Sequence, residues 1–210
     1  MKKLIAACII VWLFGAGAPA QEKPDKANPL FTAQPGPPAP AVPPGWEALL
    51  KASAPGPYHK LMEPFVGRWK AEGRIRRAAS DETVLVEGTA SNTFIFGGRY
   101  LKMEFTGKFM GQPLTGMGFM GFDNARREFT SVRFDTLSSG FLFAAGTVSA
   151  DGKTFSLRGT YKDPLTGKMR ELREEAAIEG PDRIVSRSFE GTPGGGDEFR
   201  SMDVVYTRIK

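Results

Sequence analysis

From residue 58 onward, apolar and polar residues alternate with the two-residue period of half-buried strands. Leu101, Met103, Phe105 and Phe109 alternate with Lys102, Glu104, Thr106 and Lys108. Phe155, Leu157 and Tyr161 alternate with Ser156, Arg158, Thr160 and Lys162, and Met202, Val204 and Tyr206 with Ser201, Asp203 and Thr207. Asp123-Asn124, Asp151-Gly152 and Gly180-Pro181-Asp182 supply tight-turn chemistry; Pro164-Leu165-Thr166-Gly167 and Pro193-Gly194-Gly195-Gly196 supply looser connections. The spacing predicts ten strands, at roughly 66–77, 82–96, 99–110, 113–122, 127–136, 140–149, 153–162, 168–178, 182–190 and 197–209. Tyr58, Leu61, Met62 and Phe65 mark a helical turn that Pro64 and Gly67 end. With no long helix to back a sheet, the fold class expected is all-β, a single antiparallel up-and-down β-barrel of about ten strands. Glycines in or beside the strands (Gly107, Gly111, Gly116, Gly118, Gly121, Gly140, Gly146, Gly159) suit its sharp bends.

The first 57 residues have another character. Met1-Lys2-Lys3, an uncharged apolar run over 4–14 and Ala18-Pro19-Ala20 predict a secretory signal peptide cut after Ala20. Ile5-Ala6-Ala7-Cys8 resembles a lipobox, but it leaves too short an apolar region before it. An exported bacterial protein, periplasmic or extracellular, is expected. Residues 21–57 hold ten of the chain's 16 prolines and read as an extended, semi-rigid linker, with a short helix over 46–54 placing Trp46, Leu49 and Leu50 on one face. Residues 58–210 form the barrel domain. Cys8 is the single cysteine and leaves with the signal, so disulfides, thiol nucleophiles and thiolate metal sites are excluded from the mature chain.

Charge and chemistry then narrow the function classes. The chain has 28 basic and 23 acidic side chains, net +5, and cleavage removes Lys2 and Lys3. The signs are interleaved, as in Arg170-Glu171-Leu172-Arg173-Glu174-Glu175, so no nucleic-acid partner is expected. No later segment is apolar enough to span a bilayer as a helix. His59, the single histidine, has no companion ligands and precedes the first strand, so no metal site and no haem or other cofactor is expected. There is no Gly-x-Ser-x-Gly elbow. Paired carboxylates, for example Asp135 with Glu171 or Glu174, remain open in principle, but charged strand residues usually face water. No catalytic residue is assigned, and an enzyme is the least expected of the function classes.

Gly67-Arg68-Trp69 opens the first strand just after the helical turn, and Tyr206-Thr207-Arg208 closes the last. This arrangement resembles the calycin superfamily of lipocalins and fatty-acid-binding proteins. The resemblance implies that first and last strands are neighbours and that Arg208 lies over Trp69 at the closed end, with Gly67, Trp69 and Arg208 as a structural signature. A closer resemblance runs over residues 56–208. It is carried by Gly56-Pro57-Tyr58-His59-Lys60-Leu61, Val66-Gly67-Arg68-Trp69, Met110-Gly111-Gln112-Pro113-Leu114-Thr115-Gly116, Gly121-Phe122-Asp123, Asp151-Gly152-Lys153-Thr154 and Asp163-Pro164-Leu165-Thr166-Gly167-Lys168. These blocks are similar to the bacterial family called domain of unknown function 1579. It implies the barrel and carries over no activity, substrate or catalytic residue.

The remaining candidate site is the apolar lining. Met103, Phe105, Phe109, Met117, Phe119, Phe141, Phe143, Phe155, Leu157 and Tyr206 are the lining candidates, whether for a filled core or for a cavity holding a small hydrophobic or amphipathic molecule. Arg133 and Asp135 share one face of the fifth strand with Phe129 and Ser131, and Thr130, Val132 and Phe134 share the other. If the Phe129 face turns inward, Arg133 becomes a buried cation for an anionic head group, oriented by Asp135. If Val132 and Phe134 turn inward, both charges are ordinary surface residues, which burial statistics favour. Three functions stay open: a non-catalytic binding barrel, a solid-core interaction protein tethered by its Pro-rich arm, and an enzyme.

Overall fold

The computed structural model describes residues 42, 43 and 45–210. The expected signal peptide and residues 21–41 of the linker lie outside the described residues. Two short helices come first, α1 (Trp46–Ala52) and α2 (Pro57–Lys60), then a 3-10 turn (Glu63–Phe65). Ten strands follow: β1 (Gly67–Ile75), β2 (Val84–Ile95), β3 (Tyr100–Phe109), β4 (Gln112–Asp123), β5 (Glu128–Asp135), β6 (Leu142–Val148), β7 (Thr154–Lys162), β8 (Met169–Gly180), β9 (Arg183–Gly191) and β10 (Phe199–Arg208). Each strand pairs antiparallel with its neighbours in sequence, and β1 pairs with β10 to close the barrel. Closure leaves no free edge.

Register settles which face turns inward. Leu101 and Met120 lie opposite each other on β3 and β4 and both are buried. From this pair the inward positions propagate as Met103 and Phe105 on β3, and Gly116 and Gly118 on β4. Met117 and Phe119 therefore point outward, against expectation. Both faces of β4 carry apolar residues, so apolarity alone does not fix its parity. On β5, Phe129, Ser131, Arg133 and Asp135 oppose Phe122, Met120, Gly118 and Gly116. The Phe129 face is thus the inner one, and the surface reading of Arg133 and Asp135 fails. On β6 Leu142 and Ala144 point in, opposite Arg133 and Ser131. Phe143 and the preceding Phe141 point out, each 63% exposed.

One end of the barrel is plugged. Met62 and Phe65 enter it from the helical segment and pack with Trp69, Leu101, Phe129 and Phe155. The rings of Phe65 and Phe129 meet Phe155 edge-on at 5.1 and 4.8 Å between centroids. Arg208 lies over this plug, with its Cζ 4.1 Å from the Trp69 ring centroid. It donates to the carbonyls of Val66 (2.7 Å), Pro64 (2.9 Å) and Pro181 (2.8 Å). Gly67 has φ +123°, and a Cβ there would stand 2.6 Å from Arg208 Nη1, so this position needs glycine twice over. His59 is buried in α2; its Nδ1 accepts the Gly56 N–H at 3.0 Å, and its ring meets Phe122 edge-on. Burial, with Arg99 adding to it, holds its pKa below the ordinary imidazole value. α1 packs none of its apolar residues; Trp46, Leu49 and Leu50 stay exposed. Its C-terminal end is held by Asn124 Nδ2 donating to the carbonyls of Ala52 and Ala54 and by Arg99 Nε donating to that of Ser53.

Candidate ligand-binding cavity

Above the plug the barrel is hollow. The cavity measures about 430 Å³, within the roughly 300–1,000 Å³ of small-molecule sites. Its floor is Phe65, Trp69, Phe155 and Leu157. One wall is apolar: Ala71, Val86, Leu114 and Val204, backed by Ile75, Phe105 and Met202. This wall comes from β1, β2, β3, β4 and β10. Gly116 and Gly118 contribute no side chain, so the β4 backbone itself bounds the space and outward-pointing Met117 borders it. A Cβ on Gly118 would stand 3.3 Å from Arg133 Cβ and 3.4 Å from Met103 Cε.

The opposite wall is charged. Arg133 on β5 forms an ion pair with Glu174 on β8 through Nη1 and Oε1. Asp135 Oδ1 accepts the Leu137 N–H at 2.8 Å, which caps the turn after β5. Farther round, the Tyr161 hydroxyl donates to Glu190 Oε2 at 2.7 Å, and Arg170 Nε stands 3.6 Å from the same oxygen. Burial first, and then Glu190, push the Tyr161 pKa above its ordinary value. Burial likewise raises that of Tyr206, with Arg133 and Glu174 acting on it in opposite directions. Three buried polar atoms have no hydrogen-bond partner among the described residues: Asn92 Oδ1, Ser188 Oγ and Arg170 Nε. Asn92 and Ser188 both line the cavity. A buried polar atom left unpaired costs about 1–3 kcal/mol.

Met103, Phe105, Arg133, Asp135, Phe155 and Tyr206 thus meet at one cavity. Phe109 packs in the cluster behind the apolar wall without reaching the space. Phe119, Phe141 and Phe143 lie outside, where Phe134 and Phe141 pack edge-on at 5.3 Å. Of the two suggested partners for Asp135, Glu174 is inside; Glu171 is on the outer face, bonded to Arg158 at 2.8 Å. Arg133 is not an unpaired cation: Glu174 already occupies it. Sequence reasoning missed Asn92 and Ser188, and nothing in an Asn or a Ser on a strand marks it as inward. Glu174 sits between Arg173 and Glu175, and only register separates it from them.

The family profile described as "Protein of unknown function (DUF1579)" matches residues 54–208. The chain belongs to the DUF1579 family. The match takes in every strand of the DUF1579 barrel and the plug. In fold the chain is similar to Rv2717c from M. tuberculosis, at 17% identity and TM-score 0.56 over 75% of this chain and 100% of that one. It is also similar to the S-type phycobiliprotein lyase CPES from Guillardia theta, at 14% identity and TM-score 0.53 over 76% and 97% of the two chains. At these identities the likeness is one of fold. No protein of curated function gives a significant match.

Proposed function

We propose that this DUF1579 barrel is a non-catalytic binding protein for a small amphipathic molecule. The observation that carries the reading is the cavity of about 430 Å³, apolar on one wall and charged on the other, with two unpaired buried polar atoms facing it. The apolar part of the ligand would lie against Leu114, Val204 and Phe105, and its polar part against Arg133, Asp135 and Glu174. The single histidine is spent on a helix cap and does not line the cavity, so no imidazole base stands beside its hydroxyls. The leader pattern over 1–20 supports export, so the ligand would be met outside the cytoplasm. Native mass spectrometry of detergent-free protein, followed by organic extraction, tests the reading. A reproducible bound mass that Ala176→Phe, which grows into the cavity, abolishes is expected. An apo mass that no lipophilic small molecule shifts would refute it.

The outer apolar patch favours a second reading, an interaction role. Val132, Phe134, Phe141 and Phe143 share the outside of β5 and β6, and monomeric proteins rarely expose contiguous patches of this kind. Light scattering over a concentration series tests it: association that Phe141→Ser with Phe143→Ser removes would support it, and a monomer throughout would refute it.

A further inference from the structure

Five ionisable side chains turn into the open half of the barrel: Arg133, Arg170, Asp135, Glu174 and Glu190. Two are positive and three negative. Arg133 is satisfied by Glu174, and Arg170 faces Glu190, which also accepts from Tyr161. Among the described residues Asp135 is left without a cation of its own; one of its oxygens caps a turn and the other has no donor. Glu174 is the more enclosed half of its pair, 16% exposed against 40% for Arg133. Directly opposite Glu174 in the β8–β9 ladder is Ser188, 2% exposed, whose Oγ is one of the unpaired buried atoms. The other cavity-lining orphan, Asn92 Oδ1, is an acceptor; its Nδ2 is already committed to the Phe65 carbonyl at 2.9 Å.

From this arrangement, and resting on the binding reading above, we infer that the ligand is an amphipathic cation, its positively charged donor head set between Asp135, Glu174 and Ser188. Among the described residues Arg133 is the one basic side chain that lines the cavity, so an anionic head there would have to share it with Glu174 beside Asp135, or displace Glu174 and leave an enclosed carboxylate unpaired, which is the costlier state. A cationic head supplies the missing partner of Asp135, donates to Glu174 and Ser188, and leaves the Arg133–Glu174 pair intact. The attraction acts beside a low-dielectric apolar wall, where it is screened less than in water.

Matched probes that differ only in the head group test this: decylammonium, decanol and decanoate, titrated below their aggregation concentrations into the full chain at neutral pH. Decylammonium is expected to bind at least about tenfold tighter than decanoate, a difference of about 1.4 kcal/mol, with decanol between them. Asp135→Asn, which keeps the turn-capping oxygen, should weaken decylammonium several-fold and leave decanol unchanged. Glu174→Gln, which frees Arg133, should bring decanoate level with decylammonium or above it. Decanoate binding as tightly as decylammonium to the unaltered protein would overturn the inference while leaving the binding reading standing. Failure of all three probes would overturn both. The titration of the unaltered protein decides even if neither variant folds.

Discussion

Phe155 and Phe143 offer a direct test of the barrel's register, because they are the same residue placed on opposite faces. Phe155 is 2% exposed and holds edge-on contacts with Phe65 and Phe129. Phe143 is 63% exposed on the outer face of β6. Phe155→Ala removes a buried ring from the plug, so the loss includes the transfer of the ring and the cavity left behind, about 3–5 kcal/mol. Up to about 1.5 kcal/mol of this per neighbour reflects the lost edge-to-face geometry. Phe143→Ala removes a ring already in water and should stay within about 0.5 kcal/mol. Urea unfolding followed by far-ultraviolet circular dichroism reads both. With a slope of about 2 kcal/mol per molar urea, Phe155→Ala should lower the midpoint by about 2 M. Phe143→Ala should leave it in place. A Phe155→Ala cost below about 1 kcal/mol, or equal losses at the two sites, would refute the assigned inside and outside faces.

Further outcomes follow from the plug. Gly67→Ala forces a side chain into a left-handed backbone and against Arg208, and should cost about 1–3 kcal/mol by chemical denaturation; a neutral result would mean that the Arg208 contact is not made. Arg208→Leu loses the Trp69 ring contact and the donors to Val66, Pro64 and Pro181, and should cost about 2–3 kcal/mol, with a change in tryptophan emission. His59 prefers its neutral form when folded, with a pKa below its ordinary 6.5, so the unfolded chain takes up the proton first. Its contribution is full above about pH 6.5 and is lost as pH falls through the folded value. The unaltered protein should therefore lose more Tm between about pH 7.5 and 5 than His59→Gln does; equal slopes would show that His59 is not the titrating group.

How much of this was legible in the sequence depends on the strand. On β3, β7 and β10 one face is apolar and the other charged, so both the strand and its inner face could be read directly. β4 could be recognised as a strand but not oriented, because Met117 and Phe119 are as apolar as Leu114, Met120 and Phe122, and glycines take two of its inner positions. β5 misled for a physical reason. The barrel puts Val132 and Phe134 outside and Arg133 and Asp135 inside, the reverse of what burial statistics favour. The Arg133–Glu174 pair joins residues 41 apart, three strands round the barrel, and no local spacing encodes that distance. The cavity itself is the difference between the barrel's girth and the summed volume of the inward side chains, and neither is a property of any one segment.

Arg208 and Val66 are bonded although they lie 142 residues apart in the chain. At about 5–20 residues per second, synthesis separates them by roughly 7–30 s. Through that interval β1 has only β2 beside it, and its other edge is an unsatisfied ladder. The barrel is therefore a latch that the last strand closes: each hairpin can form as it emerges, but the plug is locked only when β10 arrives. A chain stopped short of residue 199 would present the β1 and β9 edges together, a surface suited to a chaperone or to a second such chain.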